Sequence, residues 1–135
     1  RMLEVYRRIM EPAEQHGCVI HMHSDGDIRA LADDLLTLPV DVFNIQDTAN
    51  TIGWLARHMK GKVAIDLDID RMHITQKEDP RAVRAYLTHV MRTMYDRAGG
   101  LILTYGLYPG TPQANIETMM DFLEDVATGG KMWTN

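Results

Sequence analysis

Cysteine, basic clusters and long apolar runs are nearly absent from this sequence. The single cysteine, Cys18, excludes an internal disulfide and is typical of a reducing compartment. A net charge of -5 without a Lys/Arg cluster argues against a nucleic-acid backbone as partner. No apolar run approaches the roughly 20 residues that a membrane helix requires, and no signal peptide is recognisable. We therefore expect a cytoplasmic protein that binds neither nucleic acid nor membrane.

The sequence does contain a repeated alternation of short apolar runs with stretches of helical spacing. Its hydrophobic fraction of 45% and charged fraction of 24% fit one globular domain over residues 1–135, with a frayed tail at 128–135. The apolar runs lie at 18–23, 40–45, 63–70 and 101–104. Helical spacing covers 3–15, 28–38, 51–59, 81–97 and 111–126. This order predicts an α/β fold with a parallel (βα)4 sheet.

The third run alternates apolar and acidic residues with a period of two. Its apolar residues share one face of a strand, and Asp66, Asp68 and Asp70 share the other. In a half-solvated sheet these acids simply face water. In a barrel strand they point inward, where carboxylates need partners, a metal or raised pKa values. Arg71 is the simplest ion-pair partner for them.

Two histidines share one face of the first run. His21 and His23 are separated by a single residue, and Asp25 lies just beyond them. Imidazole and carboxylate groups suit zinc, so a metal site is one interpretation. Hydrogen-bonded structural histidines, or histidines that bind an anionic substrate, are the alternatives.

Polar side chains also end the second and fourth runs. Gln46 and Asp47 follow the second run, where either substrate contact or loop solvation explains them. Tyr105 follows the fourth run, and its phenol either donates a hydrogen bond to a substrate carboxylate or packs as lining. Because parallel strands end at one edge of a sheet, we expect these side chains to gather there.

The order of several short motifs resembles the C-terminal half of the uroporphyrinogen decarboxylase superfamily. The motifs cover roughly residues 17 to 120 and are His23-Ser-Asp-Gly-Asp-Ile28, Val40-Asp-Val-Phe-Asn44, Ile69-Asp70 with His73, Asp79-Pro-Arg-Ala-Val83, Gly99-Gly-Leu-Ile-Leu103 and Thr111-Pro-Gln-Ala-Asn-Ile116. The resemblance implies the C-terminal half of a TIM (β/α)8 barrel, and hence a fragment of a longer chain. It also implies a site at the C-terminal ends of the strands.

Two departures from the superfamily's patterns bear on its branches. Haem-pathway decarboxylases show a stretch similar to Gly-His-Gly after the last strand. This chain has Thr104-Tyr105-Gly106 at that place. The thiol-methylating branch typically shows His-x-Cys on the first of these strands, where this chain has His21-x-His23 or His23-x-Asp25. The resemblance favours the methyltransferase branch, in which a methyl group moves between a corrinoid protein and a methylated or methoxylated small substrate. The alternative is uroporphyrinogen decarboxylase itself, which uses no cofactor.

The strand ends and the resemblance together predict the site residues. The predicted catalytic residues are His23, Asp70 and Tyr105. The predicted substrate-binding residues are Asp25, Gln46, Asp47 and Asp68. Zinc, in the methyltransferase interpretation, would bind His23 and His21, and a partner protein would bring the corrinoid.

A third interpretation is a catalytically inert half-barrel. A four-stranded half-barrel leaves two open strand edges and an exposed apolar face, which invite pairing with another chain. We therefore expect a homo-oligomer, or completion by an N-terminal half that carries the remaining site residues.

Overall fold

Four parallel strands and the helices between them make up the part of the chain that the structure describes. The structure is a computed structural model, and it describes residues 1–77 and 79–129. The strands are β1 (His21–Ser24), β2 (Val42–Gln46), β3 (Ala64–Asp68) and β4 (Leu101–Thr104). The helices are α1 (Met2–Gln15), α2 (Ala32–Leu35), α3 (Asp47–Asn50), α4 (Ile52–His58), α5 (Pro80–Met94) and α6 (Gln113–Ala127). The sheet order is β1-β2-β3-β4 with all neighbours parallel, which confirms the predicted α/β class and four-stranded parallel sheet.

One face of the sheet packs against the helices. The strand register aligns Met22, Phe43, Ile65 and Leu101 in a row across the four strands. Phe43 and Ile65, on the two central strands, are each 1% exposed. Apolar side chains of α4, α5 and α6 complete the same core. We call this the covered face.

The opposite face of the sheet, which we call the open face, carries mostly polar side chains. The expectation of an exposed apolar face is therefore wrong, because the alternate residues of each strand that face this side are mostly polar. One row contains His23, Asn44, Asp66 and Ile102, and the next contains Gln46, Asp68 and Thr104. His23 and Ile102 lie on the edge strands and are exposed, whereas Asp66 and Asp68 on the central strand β3 are each only 8% exposed. The alternation predicted for β3 is therefore confirmed. The acids of β3 are buried, so the interpretation in which they simply face water is wrong.

The helix predicted at 28–38 is the clearest departure from the sequence-based expectation. The structure has only α2 in this stretch, because the side chain of Asp27 accepts hydrogen bonds from the main-chain and side-chain nitrogens of Arg29, at 3.0 and 2.9 Å. Such local contacts compete with the first turn of a helix. Ile28, Leu35 and Leu38 nevertheless place their side chains in the core, as their spacing predicts.

Other differences are smaller. The first strand begins at His21 instead of residue 18, and the unpredicted helix α3 precedes α4. Thr51 separates these two helices with a φ of 56°, a left-handed conformation that is costly for a β-branched residue. Residues 130–135 of the predicted tail lie outside the described residues. Each helix within residues 1–77 and 79–129 falls short of the length and apolarity needed to cross a bilayer.

Candidate functional site

Polar side chains converge on the open face at the carboxyl ends of the strands. Because the strands are parallel and in register, the ends of β1, β2 and β3 lie side by side. We call the resulting group the open-face cluster, which consists of His21, His23, Asp25, Asn44, Gln46, Asp66, Asp68, Arg71 and Thr104. Five of the predicted site residues belong to it, and His21 is one of them.

His23 is held between two hydrogen-bond acceptors. Its Nδ1 donates to Asn44 Oδ1 at 2.5 Å, because the amide nitrogen of Asn44 is itself a donor to the main-chain oxygen of Asp66 at 3.2 Å. Its Nε2 lies 3.3 Å from Asp25 Oδ2. The hydrogen bond with Asn44 and the contact with Asp25 raise the pKa of His23 above 6.5. The imidazole is therefore arranged as a proton-carrying cation.

Asp25 and Arg71 extend this arrangement across the strand ends. Gln46 Nε2 donates to Asp25 Oδ1 at 2.5 Å, and Arg71 Nη2 lies 3.8 Å from the same oxygen. Arg71 Nη1 also donates to Asp68 Oδ2 at 2.7 Å, and its guanidinium lies 5.2 Å from the ring centroid of Tyr108. Charges of alternating sign thus run from His23 through Asp25 and Arg71 to Asp68.

The two acids of β3 have different surroundings. Asp66 Oδ2 lies 3.3 Å from His21 Nε2, and Asp66 Oδ1 accepts a hydrogen bond from Thr104 at 2.5 Å. For Asp68, burial raises the pKa of the carboxyl, and the positive charge of Arg71 offsets part of that rise. Asp66 therefore has a partner beside each oxygen, whereas Asp68 has Arg71 as its ion-pair partner.

The residues predicted to bind zinc do not form a metal centre in this arrangement. Across the described ranges, no three His, Cys, Asp or Glu side chains are grouped so as to hold an ion. Both ring nitrogens of His23 face acceptors, whereas a metal ligand must point a nitrogen lone pair at the ion. His21 pairs with Asp66 instead of joining His23. Zinc binding stays a prediction.

Asp47 lies behind the open-face cluster and pairs with a tyrosine that the sequence did not single out. Asp47 is 2% exposed, and its Oδ2 accepts hydrogen bonds from the Tyr86 hydroxyl of α5 and from the main-chain nitrogen of Asp70 at 3.1 Å. Among the described residues, Asp47 Oδ1 has no hydrogen-bond partner. Burial raises the pKa of the Asp47 carboxyl, which the Tyr86 hydroxyl partly offsets.

A small cavity connects Asp47 with the open-face cluster. It measures about 160 Å³ and opens between the carboxyl ends of β2 and β3. Its lining consists of Gln46, Asp47, Thr48, Asp68, Ile69, Asp70, Arg71 and Met72. Four of the predicted site residues therefore surround one space, and Arg71 joins them.

Two of the predicted catalytic residues lie elsewhere or are otherwise engaged. Asp70 Oδ1 accepts hydrogen bonds from the main-chain nitrogens of Met72 and His73 at 2.8 and 2.9 Å, so this carboxylate stabilises a turn. Tyr105 follows the alternation of β4, and its side chain lies on the covered face. Its hydroxyl donates to Met120 Sδ at 3.3 Å. Burial raises the pKa of Tyr105. The structure does not bring Tyr105 into the open-face cluster.

Thr104 of the open-face cluster and Tyr86, the partner of Asp47, escaped the sequence-based prediction of site residues. Thr104 carries a signal that was available, since it ends a strand as Gln46 does. Tyr86 carries none, because it lies within a helix whose inward stripe is otherwise apolar. Only the tertiary packing of α5 brings its hydroxyl to Asp47, at the start of α3.

Comparisons of the chain with protein-family models, with curated proteins and with solved structures gave no match. Function is therefore inferred from the geometry above, together with the resemblance seen in the sequence.

Proposed function

We propose that this chain supplies the C-terminal half of a (β/α)8 barrel enzyme that is similar to the uroporphyrinogen decarboxylase superfamily. The sequential parallel order of the strands and the packing of helices against one face support the barrel. The observation that carries the functional proposal is the convergence of His23, Asp25, Asp68 and Arg71 at the carboxyl ends of the strands. Barrel enzymes place their catalytic groups at these ends.

The first proposed reaction is methyl transfer from a methylated or methoxylated small substrate. A corrinoid on a partner protein would carry the methyl group. In this chain His23 would hold a proton on Nε2 close to the leaving atom, and Asp25 would keep the ring oriented and charged. Arg71 would hold the anionic part of the substrate against the strand ends.

Decarboxylation is the second proposed reaction, and the two acceptors around His23 favour it. When a carboxylate leaves as CO2, its bonding electron pair stays on the adjacent carbon, which then takes a proton. An imidazolium at His23 supplies that proton and is recharged from solvent, with no metal or cofactor. The stretch Thr104-Tyr105-Gly106, in place of Gly-His-Gly, weighs against a haem-pathway substrate.

The two reactions differ in their dependence on metal, so metal content and product formation separate them. We would measure zinc per chain in the purified protein, in His23→Ala and in His16→Ala, which alters a histidine on α1 outside the cluster. Stoichiometric zinc that only His23→Ala removes supports methyl transfer. A metal-free full-length parent protein that forms coproporphyrinogen from uroporphyrinogen, with loss of activity in its His23→Ala variant alone, supports decarboxylation. Full activity of His23→Ala in either assay would contradict both mechanisms.

The partner that closes the sheet is also part of the proposal. A barrel has one helix at each junction between neighbouring strands. In a closed dimer, β1 of each copy would lie next to β4 of the other. At each such junction α1 of one copy and α6 of the other would compete for the same place. A unit of four strands and three helices would close the ring without this conflict. We therefore favour completion by an N-terminal half over a closed homodimer.

A further inference from the structure

We propose that Tyr108, in the loop after β4, is a positioning residue that holds the Arg71 guanidinium at the ends of the strands, and that Gly106 provides the space for its ring. This inference rests on the proposed function only where it concerns turnover, because the proposed reactions place the anionic part of the substrate against Arg71. The contacts among Tyr108, Arg71 and Gly106 are features of the described residues themselves.

A tight turn fixes the main chain at Tyr108. The main-chain oxygen of Tyr108 accepts hydrogen bonds from the amide and the hydroxyl of Thr111, at 3.1 and 3.0 Å. Pro109 and Gly110 lie between these two residues, and Gly110 has a φ of 96°. Proline in the second position and glycine with a positive φ in the third are typical of a type II turn. The loop therefore holds the start of the Tyr108 side chain in place through its own local contacts.

The ring of Tyr108 lies directly against Gly106. A Cβ atom at Gly106 would lie 2.5 Å from Cε2 of the ring and 3.1 Å from its Cζ. Non-bonded carbon atoms pack at about 3.5–4.0 Å, so any larger residue at this position would push the ring aside. Gly106 does not have a positive φ. The ring, and not the backbone conformation, is therefore the reason for glycine at this position.

Core packing does not explain the position of the Tyr108 ring. Tyr108 is 43% exposed and is not among the described residues that form or border the hydrophobic core. The guanidinium of Arg71 lies over the ring instead, with 5.2 Å between Arg71 Cζ and the ring centroid. A guanidinium within about 6 Å of an aromatic face is attracted to it. The contact with Arg71 is therefore what the position of the ring achieves.

The ion pairs of Arg71 alone fix its guanidinium incompletely. Nη1 donates to Asp68 at 2.7 Å, but Nη2 lies 3.8 Å from Asp25, whose side chain is 67% exposed. Long ion pairs with exposed partners contribute little, and a long arginine side chain loses many rotamers when it is held in one place. The flat ring of Tyr108 adds a further contact that restricts these rotamers. A guanidinium held in this way keeps its remaining N–H donors in place for an anionic group.

The mobility of the Arg71 side chain tests the inference without any substrate. Relaxation of the Arg71 Nε–H bond in the isotopically labelled chain gives its order parameter by NMR. We expect a lower order parameter in Tyr108→Leu and an unchanged one in Tyr108→Phe, which keeps the ring. Leu107→Ala is the matched control, because Leu107 is the neighbouring residue in the same loop and is 57% exposed. An Arg71 side chain that stays equally ordered in Tyr108→Leu would overturn the inference.

Gly106→Ala provides a second and independent variant. Its methyl group should displace the ring and lower the Arg71 order parameter as Tyr108→Leu does, which keeps the inference testable even where Tyr108→Leu fails to fold. In a chain that already carries Tyr108→Leu, Gly106→Ala should change nothing further, because the ring atoms that it would meet are absent. Additive effects of the two substitutions would contradict the role assigned to Gly106.

Mobility and turnover give separate answers. In an active full-length parent, Tyr108→Leu should raise KM by about two- to fivefold with little change in kcat, as the loss of an exposed cation–π contact allows, and Tyr108→Phe should not. A loss confined to kcat would overturn the inference. A responsive Arg71 order parameter in a parent without methyl-transfer or decarboxylase activity supports the inference and counts against the proposed function. Activity with an unresponsive order parameter supports the proposed function and overturns the inference.

Discussion

At the scale of single residues, the proton on His23 depends on two neighbours that belong to different strands or turns. We expect NMR titration to place the pKa of His23 above 6.5, and Asn44→Ala to lower it, because the hydrogen bond with Asn44 is the largest cause of the rise. Gln113→Ala, at the exposed start of α6, is the control and should leave the value unchanged. A His23 pKa that does not respond to Asn44→Ala would contradict the proposed arrangement.

The same contact gives stability a defined pH dependence. Since the pKa of His23 is higher in the folded chain than the ordinary 6.5, its stabilising contribution is fully present below pH 6.5 and is lost as pH rises through the raised value. The loss of stability caused by Asn44→Ala, measured by urea unfolding, should therefore be larger at pH 5.5 than at pH 8.5. A loss that is the same at both pH values would show that His23 contributes nothing through its charge.

The hydroxyl of Tyr86 should matter for stability far more than that of Tyr105. Tyr86→Phe removes the donor to the buried Asp47 Oδ2 and should cost about 1–3 kcal/mol of unfolding free energy. Tyr105→Phe removes only a contact with a methionine sulfur, which is a weak acceptor, and is the matched control. Urea unfolding of both variants measures the difference. Equal costs would mean that the Tyr86–Asp47 hydrogen bond is not a specific stabilising contact.

Ionisation of the buried Asp47 carboxyl should lower the unfolding free energy as pH rises. Burial raises its folded pKa above the ordinary 3.8, so its contribution is most favourable below pH 3.8 and is lost as pH rises through the raised value. Asp47→Asn lacks this titration. The unfolding free energy of Asp47→Asn minus that of the wild type should therefore increase from pH 4 to pH 7. A difference that falls over this range would indicate a stabilised, ionised Asp47.

At the scale of secondary-structure elements, α5 depends on a local signal at its start. Asp79 accepts a hydrogen bond from the Ala82 amide at 2.9 Å, and Pro80 follows it in the first turn. Asp79→Ala should cost about 1 kcal/mol of unfolding free energy, as loss of a helix cap usually does. Asp121→Ala, exposed within α6, removes a carboxyl without a cap and should change stability little. Equal effects in urea unfolding would contradict a capping role for Asp79.

Elements with strong local signals were predictable from the sequence, and those shaped by side-chain competition were not. The strand at 101–104 and the helix that follows Asp79 lie close to their predicted positions. The helix predicted at 28–38 failed because Asp27 bonds locally to Arg29. Tyr105 lies outside the open-face cluster for another reason. Its position at the end of a strand suggests the site, but counting by two from Leu101 puts its side chain on the covered face.

At the scale of the whole molecule, one face of the sheet is packed against helices, whereas the open face is not covered by any of the described elements. On the open face the acids of the central strand β3 are nearly buried, whereas His23 and Ile102 on the edge strands are exposed. The edge β4 also borders an apolar cavity of about 400 Å³ between α5 and α6, lined in part by Leu103 and Leu123. These features were not predictable from any single motif, because they depend on which elements surround each strand. They favour association with a complementary sheet.

The isolated chain should associate without forming a closed pair. Since α1 and α6 of two copies would compete at each seam, we expect an average mass that rises with concentration in sedimentation experiments, without a plateau at the dimer. Ile102 is 47% exposed on the edge strand β4, and Ile102→Lys should shift the distribution toward monomer, as a charged edge residue resists pairing. Leu107→Lys is the control, because Leu107 is 57% exposed but lies in the loop after β4. A concentration-independent dimer would contradict the competition between α1 and α6, and a strict monomer would contradict the role assigned to the open edges.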